Sequence, residues 1–414
     1  MTRVGGAFLA YALQILLTHW IGGEELGVYL HAFAVCVLLS NFAMAGMAPA
    51  AMRFVAPAHA AGEADVVAGF VSYSRRIVLG LGVGIGACVC AYGYCRAQEW
   101  QHATPLLLAG AALPIYALLR LQAGIGHALS WFVFWNLPNN ILRPAMLVGG
   151  VVVLHWADQL RSAGDVMWLH ASIIGAIFIG QLWIFRRGIS RIVGQTKPAA
   201  PPRAWLRTAL PLMLASTFTA FYPEVNLVVA EPFLPKSELA LFNIAYRTVA
   251  FLGLLMIAID NSQLPRISQL LARGETHQVR KLIRRNSLVK CVGTAIGAAL
   301  LAAGSPHILA LFDDPTYLAG EPVMLLLMVG FLGRAAIGPG GEMLSISGHH
   351  NRCVVVYVAG LVATALLAWL LIPPFGIMGA AAGVVVVMLS CDLAFHTMAR
   401  RHLNLRLDLL APRP

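Results

Sequence analysis

The stretch PLMLASTFTAFYPEVNLVVA (211–230), EPFLPKSE (231–238), LALFNIAYRTVAFLGLLMIAIDN (239–261), SQLPRIS (262–268) decides the class of this protein, because two apolar runs meet in it at a short proline-marked turn. The run from Leu239 to Asn261 is 23 residues long, enough at about 1.5 Å per residue to cross a hydrocarbon core of about 30 Å. Glu224, Arg247 and Asp260 stand inside these runs, where an ionisable group is costly and is usually kept for function. Counted from the turn, Glu224 and Arg247 fall at depths of roughly 10 and 18 Å on neighbouring antiparallel helices. They read either as an ion pair tying two helices together or as charges lining a polar cavity, and the cavity reading is preferred. Asn243 and Arg247 are i, i+4 neighbours on one face. Asp260, thirteen residues beyond Arg247, is about 220° further round the helix and cannot pair with it.

The rest of the composition agrees. With 59% hydrophobic and 11% charged residues, against a charged fraction of about 25% in soluble globules, the chain reads as an all-α polytopic membrane protein. Its net charge of +11 does not indicate nucleic acid, because the basic residues are scattered at the ends of apolar spans. The seven cysteines lie in or beside those spans without a C-x-x-C pair, so they read as small packing residues, neither disulfides nor metal ligands. No P-loop, G-x-S-x-G or H-E-x-x-H occurs, and the outer loops, about ten residues at most, leave no room for a catalytic domain. No cofactor is expected and the chain is not read as an enzyme. His349-His350 reads as a solvated turn.

About twelve spans are predicted. Six are Val4–Trp20, Gly27–Met52, Ile77–Cys95, Pro105–Leu121, Trp131–His155 and Val166–Phe185. The short first span reads as a start site placed late in preference to a cleaved signal. The run Lys197-Pro-Ala-Ala-Pro-Pro202 marks a linker, giving a first six-helix bundle over residues 1–194, a linker over 195–206 and a second bundle over 207–414. The second six spans are Thr208–Ala230, Leu239–Asn261, Ser287–Phe312, Pro322–Leu344, Cys353–Ile372 and Gly376–Ala399. Leu26-Gly-Val-Tyr29 and Leu239-Ala-Leu-Phe242 are offset by 213 residues, as are Arg53 and Arg266, which favours an internal duplication. Alternate sides of the membrane carry 22 and 3 Lys or Arg residues, placing both termini in the cytoplasm of a bacterial inner membrane. The charged loop 263–286, with Ile267, Leu270, Val279 and Ile283 at helical spacing, is expected to lie flat on the inner leaflet.

Five runs, Leu241-Phe-Asn-Ile-Ala-Tyr-Arg247, Leu264-Pro-Arg-Ile-Ser268, Leu311-Phe-Asp-Asp-Pro-Thr-Tyr317, Leu344-Ser-Ile-Ser-Gly348 and Ile372-Pro-Pro-Phe-Gly-Ile-Met-Gly-Ala-Ala381, resemble the polysaccharide transporter branch of the multidrug/oligosaccharidyl-lipid/polysaccharide superfamily, the Wzx-like O-antigen flippases. The resemblance covers Pro211 to Ala399. It implies two six-helix bundles about a MATE-like inverted-V cleft, and alternating access that moves a polyprenyl-diphosphate-linked oligosaccharide across the membrane. Synthesis proteins such as a polysaccharide polymerase are the partners it suggests.

The residues supply the chemistry such a task needs. A diphosphate headgroup with its glycan cannot enter hydrocarbon unaided, whereas a guanidinium binds phosphate through paired hydrogen bonds without losing its charge. Arg143, Arg247 and Arg334, with Asn243, are therefore the candidate substrate contacts, all three arginines being read as buried. Pro144 loosens the helix beside Arg143. Asp260, Glu342 and Glu224 are the candidates for coupling to H+ or Na+, and Asp392 is expected to pair with His396 one turn on. The rival readings are a MATE-like exporter of organic cations, which needs an acidic cavity, and an integral-membrane glycan polymerase or ligase, which needs a large outer loop.

Overall fold

The computed structural model describes residues 2–95, 100–131, 137–194, 196–200, 204–273, 275–312, 315–347 and 350–403. Among these the chain is helical with no strand, as the composition requires. In order come α1 (Thr2–Ala43), α2 (Met47–Ala60), α3 (Ala64–Cys95), α4 (Trp100–Ala128), a π-helical turn (Pro138–Leu142) running into α5 (Arg143–Trp156), α6 (Ala163–Val193) and α7 (Ala204–Ala230). After them come α8 (Lys236–Ala272), α9 (Thr276–Ala310), a 3-10 turn (Pro315–Gly320), α10 (Glu321–Ile337), α11 (Gly340–Ile346) and α12 (His350–Leu403). The calls on Lys197–Pro202 and on His349-His350 fall partly outside the described residues.

This is a membrane protein. Leu79, Val153, Ile179, Leu300, Leu366 and Trp369 are all about half exposed or more, so the long helices turn apolar faces outward, an arrangement that suits lipid and not water. Eight of the described helices are long and apolar enough to cross a membrane, against the twelve spans read from the sequence. The difference lies in α1 and α12, of 42 and 54 residues. Each is far longer than one crossing and bends once, at Gly22 (φ 83°) and Gly376 (φ 53°), where only glycine takes a left-handed conformation freely. It lies also in 138–156 and 321–337, shorter apolar helical runs.

The chain divides into two compact units, Met1–Val228 and Val229–Pro414. In the first, α4 is central and packs on α1, α2, α3 and α6; in the second, α10 packs on α8, α9 and α12. The sequence division at 195–206 falls one helix before this boundary, because α7 clusters with the helices that precede it. The loop 263–286 corrects another expectation. It is not a pair of separate flat helices but the continuation of α8 and α9, whose Ile267, Val279 and Ile283 are buried inside the unit.

Helices α3 and α4 meet without side chains between their backbones. A Cβ on Gly86 would stand 2.5 Å from the Gly110 carbonyl oxygen, and one on Gly82 3.0 Å from Pro114 Cα, while Gly84 between them meets nothing. Small residues four apart let two membrane helices approach in this way. Gly86→Leu should therefore lower the melting temperature and folded yield in detergent, at a cost of about 3 kcal/mol or more from overpacking, whereas Gly84→Leu should leave both unchanged. Equal effects of the two substitutions would contradict this packing.

Candidate functional site

A cavity opens in the first unit where three local features converge. The first is the break between α1 and α2, with Ala45 at φ 46° and Gly46 at φ 73°. Helix α7 crosses this break so closely that a Cβ on Gly46 would lie 1.9 Å from the Ala209 carbonyl oxygen. The second is the π-helical turn between Pro138 and Pro144. The Arg143 N–H reaches the Pro138 carbonyl five residues back, and the widened turn presents Asn139 and Asn140 to the cavity. Such insertions are frequent at functional sites. Gly6 seats α1 against this turn, since a Cβ there would be 1.9 Å from the Asn140 carbonyl oxygen. The third is one face of α4, where Tyr116, Arg120, Gly124 and His127 follow at helical spacing. With Asn41 and Ser216 these residues line about 580 Å³, within the range of small-molecule sites.

Its charge is of one sign. Arg143 Nη1 donates to Tyr116 Oη at 2.9 Å, and its guanidinium carbon lies 5.6 Å from the ring centres of both Phe33 and Tyr116. Arg120 stacks over Phe221 at 4.2 Å and reaches Tyr116 at 5.8 Å. Tyr116 thus stands between two guanidiniums. Aromatic faces attract these cations but carry no net charge to neutralise them. No Asp or Glu is among the described lining residues, and Arg143 Nε is buried without a hydrogen-bond partner among the described residues. Asn41 is held in place, donating to Thr217 Oγ1 at 2.7 Å and accepting from Ser216 Oγ at 3.2 Å. The cavity therefore offers cationic and amide donors to an anion that carries polar substituents.

Of the residues singled out by sequence, the structure puts Arg143 on this cavity. Glu224, half-buried on α7, belongs to the first unit, and Arg247, on α8, to the second. Arg247 Nε donates to Asn243 Oδ1 at 3.0 Å, and Asn243 is buried. Arg334 is a correction: read as buried, its side chain is 47% exposed in the last turn of α10, and its Nε lies 3.6 Å from Asp392 Oδ2. Asp392 thus faces Arg334, contrary to the expected pairing with His396, whose Nδ1 has no partner among the described residues. Asp260 accepts from Lys290 Nζ at 2.7 Å, with the lysine side chain 4% exposed. The Glu342 side chain lies outside the described residues. Arg120 entered the sequence reading only as one of the 22 basic residues counted on the cytoplasmic side, and Tyr116, Asn139, Asn140 and Lys290 were missed. The i, i+4 spacing of Tyr116 with Arg120 and the Asn pair after Pro138 were the signals available.

Residues 211–370 match the MatE family profile. Over 259 residues the chain is 23% identical to a protein of Haloferax volcanii described as probable flippase AglR; the match covers 61% of this chain and 51% of that protein, so the chain spans about half the length of this curated relative. A multidrug resistance MATE family transporter of the MOP superfamily, solved in an inward-facing conformation, superposes with a TM-score of 0.75 over 98% of this chain and 95% of its own, at 13% identity. The lipid II flippase MurJ, in an inward closed conformation, does so with a TM-score of 0.70 over 96% and 86%, also at 13% identity. The fold is that of the MATE transporters. Over residues 211–370 the sequence likeness is to MatE domains, and over nearly the whole chain the likeness to the solved transporters is one of fold.

The Asp260–Lys290 pair, with the lysine buried and the aspartate part-buried, makes its own prediction. Removing one charge leaves the other in a poorly solvated site without this partner, a loss of up to about 3–5 kcal/mol. Asp260→Asn and Lys290→Gln should each lower the detergent melting temperature, and the double variant should recover most of the loss. Additive losses would show that the two side chains do not act as a pair.

Proposed function

We propose that this protein is a flippase that moves a polyprenyl-diphosphate-linked oligosaccharide from the cytoplasmic to the outer leaflet of a bacterial inner membrane, by alternating access, for cell-surface polysaccharide assembly of the Wzx type. The sign of the cavity carries the reading. Two guanidiniums, three asparagine amides and a tyrosine hydroxyl, with no carboxylate among the described lining residues, suit a diphosphate bearing a sugar. In this reading Arg143 and Arg120 hold phosphate oxygens through charge-assisted hydrogen bonds, and Asn41, Asn139 and Asn140 bond to glycan hydroxyls. The prenyl chain stays in lipid. Within the second unit, Arg247 with Asn243 is a further candidate for a substrate contact, and Arg334 a weaker one because its charge is shared with Asp392.

An exporter of organic cations, the other reading of this fold, needs an acidic cavity, and this one is basic. If transport is coupled to H+ or Na+, Asp260, Glu342 and Glu224 are the carriers to test, Asp260 together with the Lys290 that it accepts from. Enzymes that extend the glycan, a polymerase among them, are the partners the reading implies.

Arg143→Ala should reach normal membrane levels yet lose about 10- to 100-fold of its export, the equivalent of one charge-assisted hydrogen bond of about 1.5–3 kcal/mol. Arg143→Lys should retain part of it, having charge without the paired geometry. Mass spectrometry of lipid-linked sugars accumulating in cells that carry each variant reads the effect. A fully active Arg143→Ala would overturn the assignment.

A further inference from the structure

The first unit carries a second group of arginines, apart from the cavity. The Arg75 guanidinium, on α3, lies 5.9 Å from the ring centre of Phe185 on α6, so the early turns of α3 meet the last turns of α6 and the two helices run in opposite senses. Arg186 follows Phe185 and stands close enough to Arg75 for the two charges to repel. Arg187, one turn on from Trp183, stacks on that indole at 3.6 Å. Neither α3 nor α6 supplies a described lining residue of the cavity.

These three charges are not neutralised. None of them meets a carboxylate among the described residues. The acidic residue of α3 is Asp65, ten residues before Arg75 and so about 15 Å back along the helix; that of α6 is Asp165, at the opposite end. Helices α2 and α4 hold none. Aromatic rings orient the guanidiniums without cancelling their charge. The surface that continues from them is apolar and open. Leu79 follows Arg75 by one turn, Ile179 precedes Trp183 by one turn, and all three apolar side chains are exposed. Because the helices run in opposite senses, both stripes lead from a guanidinium toward the hydrocarbon. A basic residue that serves topology alone can stand anywhere at a helix end, and it has no need of a like charge beside it on a lipid-facing surface.

We infer that Arg75, Arg186 and Arg187 bind the phosphate of an anionic phospholipid in the leaflet at this end of the helices. The guanidiniums hold the phosphate oxygens through paired hydrogen bonds, Trp183 sits at the boundary between headgroup and hydrocarbon, and the acyl chains lie over Leu79 and Ile179. Basic sites between membrane helices take headgroups of this kind. The bound phosphate relieves the repulsion between Arg75 and Arg186 and ties α3 to α6. The lipid is a fixed partner of the first unit and not cargo, since the site faces the bilayer and shares no residue with the cavity.

Native mass spectrometry of the purified full chain tests this, with phosphatidylglycerol titrated against phosphatidylethanolamine of the same acyl chains. Wild type should prefer phosphatidylglycerol by about tenfold or more. The triple variant Arg75→Gln, Arg186→Gln, Arg187→Gln should lose that preference, and the triple lysine variant at the same positions should keep only part of it, having charge without paired geometry. A control, Arg53→Gln, Arg76→Gln, Arg207→Gln, removes as much charge from other exposed sites and should bind like wild type. Neither excess inorganic phosphate nor a short-chain prenyl diphosphate sugar should displace the lipid. Should the glutamine variant fail to fold, the lysine variant and the two competitors decide. Equal affinity of wild type for the two lipids, a lysine variant indistinguishable from wild type, or a control that loses as much as the glutamine variant would overturn the site. Displacement by inorganic phosphate would assign it to free phosphate, and displacement by the diphosphate sugar to the transported lipid, each overturning the phospholipid assignment.

Discussion

Two guanidiniums held beside one tyrosine set the terms for the first unit. Arg143 and Arg120 flank Tyr116 among helices that present apolar surfaces to lipid, and a cation in that setting must be paired, solvated or left for a ligand. The aromatic faces of Phe33, Tyr116 and Phe221 supply part of what the cations lose in leaving water, and they do so without cancelling the charge. A carboxylate in their place would have closed each arginine into a salt bridge and left nothing to bind an anion. The second unit shows that closed form, in Asp260 with Lys290 and in Asp392 with Arg334.

The space around those arginines is made by backbone more than by side chains. The left-handed residues Ala45 and Gly46 stop α1 short of α2, and the π-helical turn before Arg143 adds the residue that brings Asn139 and Asn140 to the cavity. Both irregularities are clamped by close backbone approaches, Gly46 to Ala209 and Gly6 to Asn140. A site built this way has its width set by helix packing.

Much of this was legible in the sequence, for reasons that also mark where legibility stops. Hydropathy and helix length reveal crossing helices because both follow from local composition, and Arg143 stood out because a charge beside a proline inside an apolar run has no bland explanation. Arg120 was read as topology because a basic residue at the end of a span looks the same whether it meets headgroups or an aromatic ring. Lys290 and Asp260 are 30 residues apart, and which faces of α8 and α9 meet depends on helix rotation, which hydropathy does not encode. The same holds for Arg334 with Asp392, and for the π-helical turn, whose proline flanks signal a disturbance without saying that it widens the helix.

The central claim is that the cavity selects an anion. Competition binding on the purified protein tests it most directly, using a short-chain prenyl diphosphate sugar against a lipophilic organic cation such as tetraphenylphosphonium. The account predicts that the diphosphate sugar binds, that Arg120→Ala and Arg143→Ala each weaken it about tenfold or more, and that the cation neither binds at the cavity nor displaces it. Saturable binding of the cation, lost on changing cavity residues and accompanied by indifference to the diphosphate, would contradict the account.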